Sequence, residues 1–145
     1  MSVGDRGQLF LDVVDVDAGQ RYVLLGGIRS TGLTASMALA EHTGASGRAL
    51  VDALILGIDV SCRVGNMIYP DHYDRGWHIT GSTGTLGVAA ACARLLGLDE
   101  QRTQMALGIA ASQPVGLREQ FGTMTKPFHP GAAARAALLR LAGSP

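Results

Sequence analysis

The sequence has no excess of charge of either sign, since 12 basic residues balance 12 acidic ones and the isoelectric point is near 6.9. Proteins that bind nucleic acid or anionic membranes usually carry a basic field, so neither partner is expected. No apolar run is long enough to cross a bilayer, because Asp52, Asp59 and Arg94 interrupt the apolar segments. The N-terminus also lacks the features of a secretory signal. We therefore expect a cytoplasmic protein.

Cysteine and aromatic residues are scarce. Cys62 and Cys92 lie among small apolar residues, without metal-ligand partners at suitable spacing, and a disulfide would need an oxidising compartment. We therefore expect two buried, unreactive thiols and no metal site. Aromatic residues make up 5% of the chain, whereas glycine occurs 20 times. This composition favours closely packed helices in a chain of 145 residues, the size of one domain.

The pattern along the chain predicts an all-α protein with a short N-terminal β-like segment. Residues 8–25 contain two β-rich runs around a turn, which is typical of a hairpin. We expect residues 1–30 to form this segment and residues 31–145 the helical domain. Glycines, capping residues and apolar spacing predict about five helices, at residues 33–42, 48–67, 84–96, 100–112 and 131–142.

Apolar spacing also predicts which side of each helix faces the core. The expected inward residues are Leu33, Met37 and either Leu39 or Ala40 in the first helix, Leu50, Leu54, Ile58 and Cys62 in the second, and Met105, Ile109 and the alanines in the fourth.

The residues best suited to chemistry on a small molecule lie between residues 74 and 131. His78 can act as an acid or a base near neutral pH. Lys126 is the only lysine of the chain and could anchor a carboxylate. Residues 80–85 are rich in Gly, Ser and Thr and precede a predicted helix, so their N–H groups and hydroxyls could hold an anionic oxygen, although an ordinary helix cap explains the same pattern. For His129, a hydrogen bond to the chain explains its position as well as a site role does.

Two charged segments flank these residues. His72 and Arg75 lie in a loop with two aspartates, which we expect to be solvated surface, with substrate gating as the alternative. Arg118 and Glu119 are expected to be a surface pair, unless their loop lines a pocket.

Several segments of the sequence resemble the MmgE/PrpD family, in register from about residue 35 to the C-terminus. The segments that carry the resemblance are Arg75-Gly76-Trp77-His78-Ile79-Thr80, residues 84–91, residues 95–99, residues 106–113, and Gly122-Thr123-Met124-Thr125-Lys126-Pro127-Phe128-His129-Pro130-Gly131-Ala132-Ala133. The family includes 2-methylcitrate dehydratase and cis-aconitate decarboxylase.

This resemblance implies part of a large helical domain, lyase chemistry without a cofactor, and usually a homodimer. It also assigns site residues. His78 matches the family's active-site histidine, Lys126 matches its lysine, and His129 matches the histidine beside that lysine, so these three are expected to be catalytic. The expected substrate-binding residues are Thr80, Ser82, Thr83 and Arg75.

The chain also departs from the family pattern. Members carry an Asp-rich segment and a His-Pro before the first of these helices, whereas residues 24–30 contain neither Asp nor His. Members are also much longer, with further helices before this region and a second domain after it. We therefore expect this chain to correspond to the middle of a longer, truncated member.

Removing water or CO₂ from a tricarboxylate requires a base, an acid and cations that face the carboxylates. We therefore predict a lyase, which is a dehydratase, decarboxylase or isomerase, acting through His78 and Lys126 on a small tricarboxylate or hydroxy acid such as 2-methylcitrate. The expected assembly is a homo-oligomer or a complex with a partner chain, because a shortened helical domain exposes apolar faces. Two alternatives stay open, namely a non-catalytic remnant that binds carboxylates and an oligomerisation module.

Overall fold

The computed structural model describes residues 27–141 and the side chains of residues 31–138. This part of the chain is helical and contains no β-strand, so the all-α prediction is confirmed. The predicted hairpin at residues 8–25 lies outside the described residues. The helices are α1 (Gly27–Thr43), α2 (Gly47–Ile68), the short α3 (Asp71–Asp74), α4 (Ile79–Leu95), α5 (Glu100–Ala111) and α6 (Thr125–Leu141), with a 3-10 helix at Arg118–Gln120.

Helix α4 forms the centre of the fold and packs against α1, α2, α5 and α6. Seven of its twelve buried residues are glycine or alanine. Small side chains on every side of a helix allow its neighbours to approach closely, which explains how one helix can contact four others. The core cluster consists of Ala35 and Leu39 from α1, Val88, Ala89 and Cys92 from α4, Ala110 from α5, and Ala134 and Ala137 from α6.

Helices α2 and α4 cross with their backbones in contact. A Cβ atom added to Gly57 would lie 2.7 Å from the carbonyl oxygen of Gly87, and one added to Gly87 would overlap the side chain of Ser61. The Ser61 hydroxyl donates a hydrogen bond to the carbonyl of Thr83 at 3.2 Å. The crossing therefore depends on two glycines and a serine rather than on large apolar side chains.

This close crossing overturns the predicted inner face of α2. The buried residues of α2 are Ala53, Gly57 and Ser61, while Leu50, Leu54 and Ile58 are half-buried. The larger side chains cannot fit where two backbones touch, so they lie beside the contact. In α5 the predicted alanines Ala106 and Ala110 are buried, whereas Met105 is 61% exposed.

The predicted core residues of α1 and the remaining one of α5 are also buried only in part. In α1, Leu39 and Ala40 are buried as predicted, Leu33 is half-buried, and Met37 is 41% exposed. Ile109 of α5 is 38% exposed. The apolar periodicity therefore located part of the inner side of α1 and α5 but not that of α2, where the buried positions belong to smaller side chains.

The two cysteines differ from each other. Cys92 is fully buried, as predicted, and burial raises the pKa of its thiol to about 12. Cys62, by contrast, is exposed on α2, so the expectation of a second buried thiol is wrong. Val51 and Ile55, also on α2, are 53% and 61% exposed, so this helix turns part of its apolar surface outward.

None of the helices resolved between residues 27 and 141 is long and apolar enough to cross a membrane. Within the same part of the chain, no group of three or more His, Cys, Asp or Glu side chains could hold a metal ion.

Three helices begin well before the predicted residue. Helix α1 begins at Gly27 instead of residue 33, and the earlier starts of α4 and α6 affect the candidate site. Helix α4 begins at Ile79 instead of residue 84, so residues 80–85 are helical rather than a loop. Helix α6 begins at Thr125 instead of residue 131, with Pro130 inside it. Proline lacks an N–H and usually marks a boundary, but here it only removes one hydrogen bond near the start of the helix. The other helix signals are confirmed, since Ser46 caps α2 and Asp99 caps α5.

Candidate active site

Two short segments of extended chain position the site at the start of α4. The His78 N–H donates to the carbonyl of Gly116 at 3.0 Å, and the Arg118 N–H donates to the carbonyl of Gly76 at 2.8 Å. Trp77 and Leu117 form an antiparallel bridge between these two bonds. This pairing fixes the backbone of His78, which is the residue immediately before α4.

His78 and His129 form a buried pair. Their Nδ1 atoms lie 2.9 Å apart, and the two residues are 8% and 4% exposed. A hydrogen bond between two ring nitrogens contains one proton, so one Nδ1 donates and the other accepts. One ring of the neutral pair therefore carries an N–H at Nε2, and the other ring has a lone pair there.

Phe121 connects this pair to Lys126. The edge of the His78 ring lies against Phe121, with centroids 4.8 Å apart, and the Lys126 Nζ lies 5.1 Å from the Phe121 ring centroid. The structure thus brings all three predicted catalytic residues to one place. In the described part of the chain the ion pairs are Arg63–Asp59 and Arg102–Asp99, so Lys126 has no carboxylate partner there.

The sequence analysis did not identify Phe121, which directly follows the 3-10 helix at Arg118–Gln120. The available signal was its position five residues before Lys126, immediately ahead of the segment that resembles the family. An aromatic residue in a loop gives no periodicity, so only the folded contact shows its role.

The histidines of the pair are neutral at pH 7 in the unliganded protein. Burial, together with the smaller effects of the nearby His129 and Lys126, lowers the pKa of His78 from 6.5 to about 4. Burial also lowers the pKa of His129. The site therefore presents one ammonium group and an uncharged imidazole pair.

The lowered pKa of His78 predicts that acid destabilises the fold. Below pH 6.5 the unfolded chain takes up a proton that the folded chain resists, so the free energy of unfolding should fall as the pH drops from about 6.5 to about 4. We expect a loss of about 2 kcal/mol, since one unit of pKa difference corresponds to about 1.4 kcal/mol and the pair retains some solvent contact. Urea unfolding at neutral and acidic pH measures this, and His78→Asn should reduce the loss. Equal losses in the two proteins would contradict the assignment.

His72 is more deeply placed than its charged neighbours suggest. Its Nε2 lies 2.7 Å from the Ser82 hydroxyl oxygen, and its ring stacks on Trp77 with centroids 5.6 Å apart. Burial lowers the pKa of His72. The expectation of solvated surface holds for Asp71, Asp74 and Arg75, which are exposed, whereas His72 is half-buried and lies in a short helix rather than a loop. The contact between His72 and Ser82 joins residues ten positions apart. It depends on how α3 packs against α4, which the spacing of residues along the chain does not predict.

The predicted substrate-binding residues occupy different environments. Thr83 is fully buried in α4 and donates to the carbonyl of Ile79 at 3.0 Å, while Ser82 is 4% exposed. Thr80 is half-buried in the first turn of α4, and Arg75 is exposed. The predicted anion-holding loop is wrong, because these hydroxyl residues lie within a helix. Contact of the four residues with a substrate stays a prediction.

A cavity of about 460 Å³ adjoins the site and opens to solvent. Its walls consist of Arg75, Gly76, Leu117, Arg118, Glu119 and Phe121. The Arg118 guanidinium stacks 3.9 Å from the centroid of the Tyr73 ring and donates to the Tyr73 carbonyl at 2.8 Å. Arg118 and Glu119 therefore do not form the surface ion pair that was one reading of the sequence.

Comparison with known proteins gives consistent matches over this region. The model of the MmgE/PrpD N-terminal domain matches residues 25–142. A cis-aconitate decarboxylase of Aspergillus terreus is 40% identical over 108 residues, which are 72% of this chain and 22% of that protein. The cis-aconitate decarboxylase of Homo sapiens is 34% identical over 99 residues, 68% of this chain and 21% of that protein. The chain thus spans about a fifth of the length of these curated relatives.

Proposed function

This chain belongs to the MmgE/PrpD family, and on that premise we propose that it is a cofactor-free lyase that removes carbon dioxide from cis-aconitate or a closely related unsaturated tricarboxylate. The observation that supports the proposal most is the contact of His78 with His129, 2.9 Å between Nδ1 atoms, with Lys126 beside it and without a carboxylate partner among the described residues. Relatives named cis-aconitate decarboxylase match the same region. Dehydration of a hydroxy tricarboxylate such as 2-methylcitrate is the other lyase reaction that these groups would support.

Decarboxylation breaks a carbon–carbon bond, releases CO₂ and leaves the bonding electron pair on the remaining skeleton. That pair spreads through the double bond onto a neighbouring carboxylate, where negative charge grows. The Lys126 ammonium, facing that carboxylate, would stabilise the charge in the transition state more than in the ground state. A proton must then replace the lost carboxyl group on carbon.

The histidine pair would supply this proton. In the empty site both rings are neutral, because burial lowers the pKa of His78 and of His129. A bound tricarboxylate brings negative charges close to the rings, and opposite charges raise the pKa of a histidine. Substrate binding would therefore cause the pair to take up one additional proton. Each turnover consumes one proton.

His129 would act as the residue that positions His78 as well as a store for the proton. The hydrogen bond between the two Nδ1 atoms fixes the ring of His78 and directs its Nε2 away from its partner. Either ring can hold the shared proton, so a proton lost from one Nε2 can be replaced through the other ring.

The test is turnover of cis-aconitate, measured as consumption of the substrate and release of CO₂. We expect Lys126→Met to lower kcat/KM by about 10²–10³, the usual cost of removing one electrostatic stabiliser from a transition state. Arg135→Met is the matched control, because Arg135 is an exposed cation on the same helix. A Lys126→Met protein with the turnover of the wild type would refute the proposed mechanism.

The second candidate function is carboxylate binding without turnover. It is favoured by one observation, namely that residues 24–30 contain neither the Asp nor the His that the family pattern has before α1. Calorimetric binding of cis-aconitate by a folded protein that releases no CO₂ would support this candidate over the lyase. The assay should use the assembled protein, since exposed Val51 and Ile55 on α2 support a homo-oligomer or a complex with another chain, which light scattering detects.

A further inference from the structure

The cavity beside the histidine pair combines two cations with an apolar wall. Arg75 and Arg118 line it together with Phe121, and the same Phe121 ring contacts His78 and faces the Lys126 Nζ. Among the described residues, the ion pairs involve neither Arg75 nor Arg118. Both guanidinium groups are therefore available to a ligand that enters from solvent.

Arg118 is held in place before any ligand binds. Its backbone N–H donates to Gly76, its guanidinium donates to the carbonyl of Tyr73 through one nitrogen, and the group stacks on the Tyr73 ring. A guanidinium has five N–H donors, so most of them stay free for an acceptor. A side chain that is already ordered loses little entropy when it binds, which increases the affinity it can give.

From these contacts we propose that the cavity lined by Arg75, Arg118 and Phe121 is a second carboxylate subsite. It binds the carboxylate of a polycarboxylate that is remote from the reacting end, while the reacting end lies at His78, His129 and Lys126. This inference rests on the proposed function, since it assigns a binding site to the remote carboxylate of the same substrate. A planar guanidinium fork matches a carboxylate through two parallel hydrogen bonds, which suits this ligand.

The negative charge of Glu119 limits which anions the cavity can bind. Its carboxylate also lines the cavity, so the two arginines and the glutamate leave a formal charge of +1. One carboxylate neutralises that charge, whereas a phosphate dianion would place excess negative charge beside Glu119. The cavity should therefore prefer a carboxylate to inorganic phosphate.

The experiment compares two unreactive ligands by calorimetry, the saturated tricarboxylate tricarballylate and the dicarboxylate methylsuccinate, which lacks one terminal carboxylate of tricarballylate. In the wild type the tricarboxylate should bind about tenfold more tightly, as expected for one charge-assisted contact in an open site. Arg118→Gln should lower that ratio to about one by weakening only the tricarboxylate. Arg75→Gln, in an exposed residue with little structural role, should lower the ratio in the same direction, and it replaces Arg118→Gln if that variant does not fold.

Arg94→Gln is the matched control. Arg94 is exposed near the far end of α4, about 24 Å along the helix from His78 at 1.5 Å per residue. It should leave the ratio unchanged. If the ratio of tricarboxylate to dicarboxylate affinity were the same in the wild type and in both cavity variants, the subsite would be refuted. It would also be refuted if Arg94→Gln lowered the ratio as much as the cavity variants do, or if the protein bound inorganic phosphate more tightly than tricarballylate. Binding ratios that follow the prediction without any turnover would uphold the subsite and count against the lyase, so the two failures are distinct.

Discussion

Replacing Gly87 with alanine is expected to lower the free energy of unfolding by about 3 kcal/mol, at the upper end of the usual cost of overpacking. The added methyl group would overlap the Ser61 hydroxyl and the carbonyl oxygen of Gly57. The serine could rotate, but the Gly57 carbonyl belongs to the backbone of α2 and cannot move without shifting the helix. The whole contact between α2 and α4 would therefore have to widen.

Gly108→Ala is the control for this change. Gly108 also lies inside a helix, α5, but nothing lies within 4 Å of an added Cβ atom there. Alanine has the higher helix propensity, so this variant should gain about 0.5–1 kcal/mol. Urea unfolding followed by circular dichroism measures both. If Gly87→Ala were as stable as the wild type, the two helices would not cross with their backbones in contact.

Replacing Gly116 with alanine should disrupt the histidine pair and cost about 3 kcal/mol, the sum of backbone strain and overpacking. Gly116 has a φ of +100°, which residues with a side chain rarely adopt. Its added Cβ would also lie 2.7 Å from the Nδ1 and 2.8 Å from the Cγ of His129. The ring would have to leave its contact with His78, so turnover should fall together with stability.

Two controls separate strain from the clash. Gly122 has a φ of +86° and open space around its Cβ direction, so Gly122→Ala should show strain alone, about 1–2 kcal/mol. In a His129→Ala background, Gly116→Ala should cost no more than Gly122→Ala does. A loss in that background as large as in the wild type would show that His129 does not depend on this glycine. Imidazole nitrogen chemical shifts report the state of the pair directly.

Local signals predicted the helices well because capping and termination depend on neighbouring residues. The side chains of Ser46 and Asp99 accept the expected hydrogen bonds, from Ala49 and Arg102, and Gly97 has the positive φ of a helix end. The starts of α4 and α6 could not be predicted in the same way. Glycine, serine, threonine and proline disfavour helix on their own, so local signals did not predict these first turns. In α4, residues 81–85 are buried, and packing against the neighbouring helices stabilises them as helix.

The candidate site was predicted in part. The resemblance to the family marked His78, Lys126 and His129, which the structure brings around Phe121. It did not mark the contact of His72 with Ser82 or the stacking of Arg118 on Tyr73, which spans 45 residues. Such contacts depend on how one segment packs against another, and the spacing of residues along the chain does not predict that packing.

The composition of α4 has a thermodynamic consequence for the whole molecule. A buried alanine or glycine has no side-chain rotamers to lose, whereas each leucine or isoleucine that is buried loses about 0.5–1 kcal/mol of rotamer entropy. With seven glycines and alanines among its twelve buried residues, α4 forms a centre that is ordered at little entropic cost. It also buries little apolar area per residue, so cohesion at this centre comes mainly from close contact between backbones and methyl groups.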